Sequence, residues 1–224
     1  TSMWMQILKA AGLPVIGAPY LGRWEESIRE ANPRGFFESP LRQGIYYATN
    51  PDDEGVFISP KASRRHVVKV FVPGLDPSHD GLRIAQLSDL HVGLMTSTAK
   101  IRRAVHRANA EKPDLTVLTG DYMCYSPKFL GLLHELVREL EGPAVAVLGN
   151  HDYWTDGEGV RRVFEKAGIH VLRNQHTELR FRHAPLDIVG IDDAVTAHAD
   201  PMRAFRGVPH DRSRIIAPRM TRRW

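Results

Sequence analysis

The sequence IAQLSDLHVG at residues 84–93 is the first of three segments that decide the fold. In each of them an apolar β run passes directly into polar residues. The other two are LTVLTGDY at residues 115–122 and VAVLGNHDYW at residues 145–154. Short apolar strands separated by helical patterns are typical of βαβ units around a largely buried sheet. The segments therefore predict an α/β fold whose strands deliver polar side chains at their carboxyl ends.

The alternation of strand and helix patterns continues through much of the chain. Apolar runs predict strands at residues 67–72, 82–87, 115–118, 144–148 and 186–191. Amphipathic stretches between them predict helices at residues 97–110, 127–140 and 158–167. Residues 203–224 show neither period, so no regular element is expected there.

Composition places the chain among ordinary globular proteins. It has 224 residues, of which 42% are hydrophobic and 25% are charged, which is enough for one sizeable core. No run of eighteen apolar residues is present, so no transmembrane helix is expected. The single cysteine, Cys124, excludes an internal disulfide framework and favours a reducing, cytoplasmic compartment. Peripheral contact with a membrane remains open, and the sequence does not indicate an oligomeric state.

The positive charge is concentrated at the end of the chain. Residues 201–224 hold seven arginines and one acid, Asp211, whereas the whole chain carries a net charge of +4. The basic character therefore does not belong to a face built through the fold. Because Phe205 is the one aromatic residue among these arginines before Trp224, aromatic interleaving is too sparse to indicate a nucleic-acid partner, and none is expected.

The polar residues after the strands are types that bind metal ions. Asp89 and His91 lie two positions apart, and in extended chain such side chains point to the same side and can hold one ion. Asp121 lies between the other two segments and is the natural bridge to a second ion, which Asn150 would bind. Carboxylate, imidazole and amide ligands suit Mn²⁺, Fe or Zn²⁺. His151 directly follows a ligand and is the expected proton donor, a catalytic role in which Asp152 would orient its ring.

Each motif taken alone also has a purely structural explanation. Ser-Asp pairs are frequent in turns and helix caps, and Gly-Asp pairs are common. The tetrapeptide Gly-Asn-His-Asp at residues 149–152 is far rarer by chance. All three motifs occur in order, each after an apolar β run, which makes coincidence a poor explanation.

The segments SDLHVG, LTGDY and GNHDYW, with GIDDA at residues 190–194, resemble the calcineurin-like metallophosphoesterases. The resemblance covers about residues 67–212 and is greatest to the membrane-associated bacterial branch that acts on phosphodiesters. It implies a four-layer αββα sandwich with two divalent metal ions. It also implies hydrolysis of a phosphomonoester or phosphodiester by a metal-bound hydroxide, with a lipid-linked substrate left open.

The resemblance assigns a role to each candidate residue by position. Asp89 and His91 match ligands of the first metal, Asp121 the bridge, and Asn150 a ligand of the second metal. His151 matches the catalytic histidine.

The chain departs from this family beyond Asp152. The family's later Ser-His or Gly-His pair and its Gly-His-x-His motif, which supply further metal ligands, have no counterpart here. The segment RSRIIAPRMTRRW at residues 212–224 resembles a truncated gene or a reading-frame change, so the sandwich is expected to be incomplete at its carboxyl end. Only Asn150 and Asp121 would remain for the second metal. A non-catalytic scaffold of the same fold and an inactive gene fragment are therefore the alternatives to an enzyme.

The first 65 residues have a different texture. TSMWMQILKAAGLPVIG at residues 1–17 and NPRGFFE at residues 32–38 resemble a sulfotransferase-like protein without most of its phosphate-binding loop. A loop-rich extension is the other interpretation, and nucleotide binding by this region is a further alternative. The expected organisation is an extension over residues 1–65, a partial phosphoesterase domain over 66–212 and a basic, unpatterned tail over 213–224.

Overall fold

A computed structural model describes residues 42–48, 65–70, 72, 75–94, 96–210 and 212–219. Most of the predicted extension, including both sulfotransferase-like segments, lies outside these residues. The last five residues of the predicted tail do so as well. The described part of the chain contains two β-sheets.

The larger sheet has six strands in the order β2-β1-β3-β4-β5-β6. Strands β3 to β6 are parallel, while β1 runs antiparallel to β3 and parallel to β2. The strand bounds are β1 Arg42–Ala48, β2 Arg65–Val70, β3 Arg83–Ser88, β4 Leu115–Thr119, β5 Ala144–Val147 and β6 His170–Val171. The carboxyl ends of β3, β4 and β5 therefore lie side by side at one edge of the sheet.

Three helices cover one face of this sheet. They are α1 Thr98–Ala110, α2 Leu130–Val137 and α3 Asn150–Lys166. Helix α1 shows why they pack there, because its buried residues recur at helical spacing and form one apolar stripe: Ile101, Ala104, Val105 and Ala108. This stripe, with Leu87 from β3 and Leu118 from β4, belongs to the core between the helices and the sheet.

The opposite face of the larger sheet meets a second sheet of three strands. These are β7 Gln175–Phe181, β8 Ala184–Ile191 and β9 Arg214–Pro218. Strand β8 lies in the centre, antiparallel to β7 and parallel to β9. Val117 of β4, Val147 of β5 and Ile188 of β8 belong to the core between the sheets. Strands β4 and β5 thus serve both cores, since successive side chains point to opposite faces.

The fourth layer is represented, within the described residues, by the short helix α4, Pro201–Ala204. It packs against β7 and β8. Val189 and Ile191 alternate with the inter-sheet residues of β8 and are also fully buried. The α/β sandwich predicted from the sequence is confirmed. None of the helices described has the length and apolar character needed to cross a bilayer.

Several elements differ from those predicted from the sequence. Residues 214–218 were predicted to be irregular but form β9. This strand pairs in parallel with β8, and its hydrogen bonds to β8 cannot be predicted from the local sequence. Strands β1, β6 and β7 were not predicted. Helix α3 begins at Asn150 rather than at residue 158, and its regular geometry is interrupted at Asp156. Helix α2 is shorter than predicted, with a 3-10 turn at Pro127–Phe129 before it.

Candidate metal centre

The loops that follow β3 and β4 are joined by backbone hydrogen bonds. The N–H of Asp89 donates to the carbonyl of Gly120 over 3.0 Å. The N–H of His91 donates to the carbonyl of Asp121 over 3.0 Å, and the next N–H, of Val92, donates to that of Tyr122 over 2.7 Å. These bonds fix the spacing between the two loops, so the side chains that leave them are held at one place above the sheet.

Three of the predicted ligands have left-handed backbone conformations. The φ angles are 56° at Asp89, 45° at His91 and 57° at Asp121. Residues with a side chain rarely adopt this region, and such strained positions cluster at functional sites. The loops therefore hold these side chains in directions that an extended strand end could not give them.

The donor atoms of these three residues converge. One ligand atom from each of Asp89, His91 and Asp121 lies within 4.8 Å of the others, and this is the metal-sized cluster of such side chains in the described chain. The His91 Nε2 atom is 3.8 Å from Asp89 Oδ1. Asp121 is buried at 3% exposure. Two carboxylates and one imidazole at these separations fit one divalent ion.

The next two predicted residues border this cluster from the start of helix α3. Asn150 is buried, and its Oδ1 atom has no hydrogen-bond partner among the described residues. A buried oxygen that serves as a cation ligand is expected to have no hydrogen-bond donor of its own. The backbone N–H of His151 donates to Asp121 Oδ1 over 3.1 Å, and its ring centroid lies 4.7 Å from that of His91. Asn150 and His151 therefore share the edge that Asp121 occupies.

The sequence predicted that Asp152 orients the ring of His151, but its carboxylate hydrogen-bonds to backbone groups instead. It is fully buried, and its carboxylate accepts four backbone N–H groups. The donors are Asp121 at 2.9 Å, Tyr122 at 2.8 Å, Met123 at 3.1 Å and Gly149 at 2.8 Å. The hydrogen bonds of this carboxylate in the described part of the chain thus join the loop after β4 to the loop after β5. Asp152 therefore fixes the position of Asp121 rather than the proton chemistry of His151.

Arg219 enters the centre from the residue just after β9, which the sequence did not predict. Its side chain is buried at 6% exposure. Its Nη2 atom contacts Asp121 Oδ2 directly and lies 3.5 Å from Asp89 Oδ1. The other terminal nitrogen donates to the carbonyl of Thr119 over 3.2 Å. An arginine in a basic stretch is usually solvated, so no local signal would have identified it.

The two carboxylates that share the guanidinium of Arg219 have opposite pKa shifts, although Arg219 lowers the pKa of both. Burial raises the pKa of Asp89, but a hydrogen bond with His91 and the charge of Arg219 outweigh burial and hold it below its usual value. Burial raises the pKa of Asp121, and the neighbouring Asp89 carboxylate adds to this effect against Arg219. Burial and the nearby cations lower the pKa of His151, while Asp89 and Asp121 raise that of His91. Burial is the largest influence on the pKa of all four groups, and the charges of the neighbouring groups act with it or against it.

A second ion has fewer ligands in the described chain. Asp121 and Asn150 are the predicted pair for it; Asp121 belongs to the cluster, and Asn150 is buried at the start of helix α3. His198 instead stacks its ring on Tyr153, with centroids 3.8 Å apart. None of His170, His176, His183, His198 and His210 belongs to the metal-sized cluster. Within the described residues, the converging carboxylate and imidazole donors are therefore those of Asp89, His91 and Asp121.

Comparison with known proteins gives consistent matches. The family model described as calcineurin-like phosphoesterase matches residues 82–214. The uncharacterized metallophosphoesterase YkoQ of Bacillus subtilis is 33% identical over 139 residues, which cover 59% of this chain and 51% of that protein. An uncharacterized metallophosphoesterase of Aquifex aeolicus is 32% identical over 120 residues, covering 53% of this chain and 45% of its own length.

A further match carries a named activity. The UDP-2,3-diacylglucosamine pyrophosphatase LpxG of Chlamydia muridarum is 37% identical over 78 residues, covering 34% of this chain and 24% of that protein. The chain spans about half the length of the first two relatives and less of the third.

Proposed function

Because this chain belongs to the calcineurin-like phosphoesterase family, we propose that it hydrolyses phosphate esters with a divalent metal ion held by Asp89, His91 and Asp121. The convergence of these donor atoms within 4.8 Å is the observation that carries the proposal. Carboxylate and imidazole donors suit Mn²⁺, Fe or Zn²⁺. Asn150, with its unpartnered Oδ1, is the further ligand on the side of helix α3.

The roles of the side chains follow from their places around this cluster. A divalent ion there would polarise a phosphoryl oxygen and lower the pKa of a bound water. His151 lies beside Asp121 with its Nδ1 unpartnered among the described residues, and we assign it proton donation to the leaving oxygen. Its lowered pKa makes it a weak base, so it releases a proton readily once protonated. Asp152 acts indirectly by holding the backbone at Asp121.

The proposal is tested with bis(p-nitrophenyl) phosphate and p-nitrophenyl phosphate, each with added Mn²⁺ and after chelation. We expect turnover that needs the metal and is lost in Asp121→Asn. The matched control is Asp80→Asn, which removes the same charge from an exposed position before β3, at the opposite end of that strand. Equal turnover by wild type and Asp121→Asn would contradict the proposal. The ratio of the two substrates assigns the chain to diester or monoester hydrolysis.

A lipid-linked substrate is the finer form of the proposal. Apolar side chains are exposed near the cluster, with Tyr125 at 72% and Trp154 at 58% exposure. The rings of both contact that of His151, with centroid distances of 5.2 Å and 5.1 Å. The similar LpxG acts on a diacylated sugar nucleotide, as its name states. Faster hydrolysis of an acylated sugar-nucleotide pyrophosphate than of its deacylated form would support this substrate class, and equal rates would oppose it.

A non-catalytic role of the same fold is the second candidate. The observation in its favour is Arg219, which occupies the carboxylates that a metal would need. This candidate expects a folded chain without metal-dependent turnover on either ester. Absence of turnover in a chain that unfolds cooperatively would favour it over the enzyme.

A further inference from the structure

The side chain of Arg219 passes close to two glycines, Gly120 and Gly149, on its way to the centre. A Cβ atom on Gly120 would lie 2.8 Å from Arg219 Cδ, and one on Gly149 would lie 3.0 Å from Arg219 Nε. The two glycines thus leave room for the aliphatic part of the arginine between the loops after β4 and β5. The backbone of Arg219 is anchored at the end of β9, where its N–H donates to the carbonyl of Ile191 over 3.3 Å.

Both carboxylate oxygens of Asp121 already have a hydrogen-bonding partner. Its Oδ1 already accepts the backbone N–H of His151, and Arg219 contacts Oδ2. The same Arg219 nitrogen lies 3.5 Å from Asp89 Oδ1, so a single group spans both carboxylates. A divalent ion held by the same two oxygens, Asp121 Oδ2 and Asp89 Oδ1, would lie where this guanidinium lies. Two cations cannot share that position, because they would overlap and repel each other.

The metal-free chain needs a positive charge there. Asp121 has 5% and Asp89 has 23% side-chain exposure, and burying two unpaired carboxylates is strongly unfavourable. We propose that Arg219 is a built-in cation that neutralises Asp89 and Asp121 in the metal-free chain and competes with a divalent ion for them. The competition rests on the metal site proposed above, whereas the neutralisation does not.

The competition is tested by calorimetric titration of Mn²⁺ into wild type, Arg219→Gln and Arg212→Gln. Arg212 is the matched control, an arginine of the same segment whose carboxylate partner is the surface residue Glu178. We expect Arg219→Gln to bind Mn²⁺ about tenfold more tightly or better, because a charge within a few ångströms is removed, and Arg212→Gln to bind as wild type does. Equal or weaker binding by Arg219→Gln would overturn the competition. If wild type binds Mn²⁺ and hydrolyses esters even when the competition is overturned, the proposed function stands.

The neutralisation is tested without metal by thermal unfolding in a chelator. Arg219→Gln and Asp121→Asn each remove one partner, and the double variant removes both. Adding the two single losses in melting temperature gives the value expected if the residues act independently. We expect the double variant to melt roughly 4 °C or more above that value, since neither charge is then left buried alone. Additive losses would overturn the neutralisation. If Arg219→Gln does not fold, a folded double variant supports the proposal and an unfolded one contradicts it.

Discussion

At the residue scale, the side chain of Asp152 connects loops that are 30 residues apart in sequence. It accepts N–H groups from the loop after β4 and from Gly149 after β5. We expect Asp152→Asn to lower the free energy of unfolding by about 2–4 kcal/mol, because an amide replaces one acceptor with a donor and leaves buried N–H groups unpartnered. Urea unfolding measures the loss.

The matched control for this change is Asp76→Asn. Asp76 is exposed and accepts one backbone N–H, from Ser78, at 2.8 Å. We expect it to change the free energy of unfolding by less than about 1 kcal/mol, since water can replace the bond. A similar loss in both variants would mean that the four buried contacts of Asp152 add nothing.

Site residues were predictable where a motif carries them and not where the fold assembles them. Asp89, His91, Asp121, Asn150 and His151 follow strands whose apolar runs are evident in the sequence, and they do meet at one edge. The work of Asp152 was assigned to the wrong partner, because its donors are backbone groups that no sequence pattern displays. Arg219 could not be found at all, since its partners lie about 100 and 130 positions away.

At the scale of elements, the approach of the β4 and β5 loops depends on Gly149. A Cβ atom there would lie 2.2 Å from Asp121 Oδ1 and 2.5 Å from the Asp121 backbone nitrogen. We expect Gly149→Ala to displace Asp121, to abolish Mn²⁺ binding and to destabilise the fold by about 1–3 kcal/mol, the usual range for overpacking. Titration of Mn²⁺ and urea unfolding measure the two effects.

Helix α2 offers the matched alanine substitution. Gly131 lies in this helix, and a Cβ atom there would meet nothing within 4 Å. Gly131→Ala should leave Mn²⁺ binding unchanged and raise stability by up to about 1 kcal/mol, since alanine is the better helix former. Normal Mn²⁺ binding by Gly149→Ala would show that the loops can separate without harm to the site.

Whether the sequence predicted an element depended on its burial pattern. Strand β4 has all five residues buried, so its apolar run was evident. Strand β7 is mostly polar, and only Phe181 of its seven residues is buried. Strand β9 has one buried residue, Ala217, and it pairs in parallel with β8. These two half-exposed strands at the edges of the smaller sheet therefore escaped prediction.

At the scale of the whole molecule, the two cores share strands β4 and β5. Leu118 faces the helices, whereas Val117 faces the second sheet, and Ala146 and Val147 divide in the same way. A loss in one core should therefore be felt in the other. We expect Ile188→Ala, in the core between the sheets, to lower the free energy of unfolding by about 2–5 kcal/mol through the cavity it leaves.

This variant should still unfold in a single transition. Helix content followed by far-ultraviolet circular dichroism, and protection of β8 amides followed by hydrogen exchange, should be lost at the same urea concentration. Val195→Ala, at a position that is 50% exposed, is the control and should leave the midpoint unchanged. If β8 lost protection while the helices persisted, the small sheet would be a separately melting layer. Arg219 would then leave Asp89 and Asp121 before the larger sheet unfolds, since β9 pairs only with β8 in the described chain.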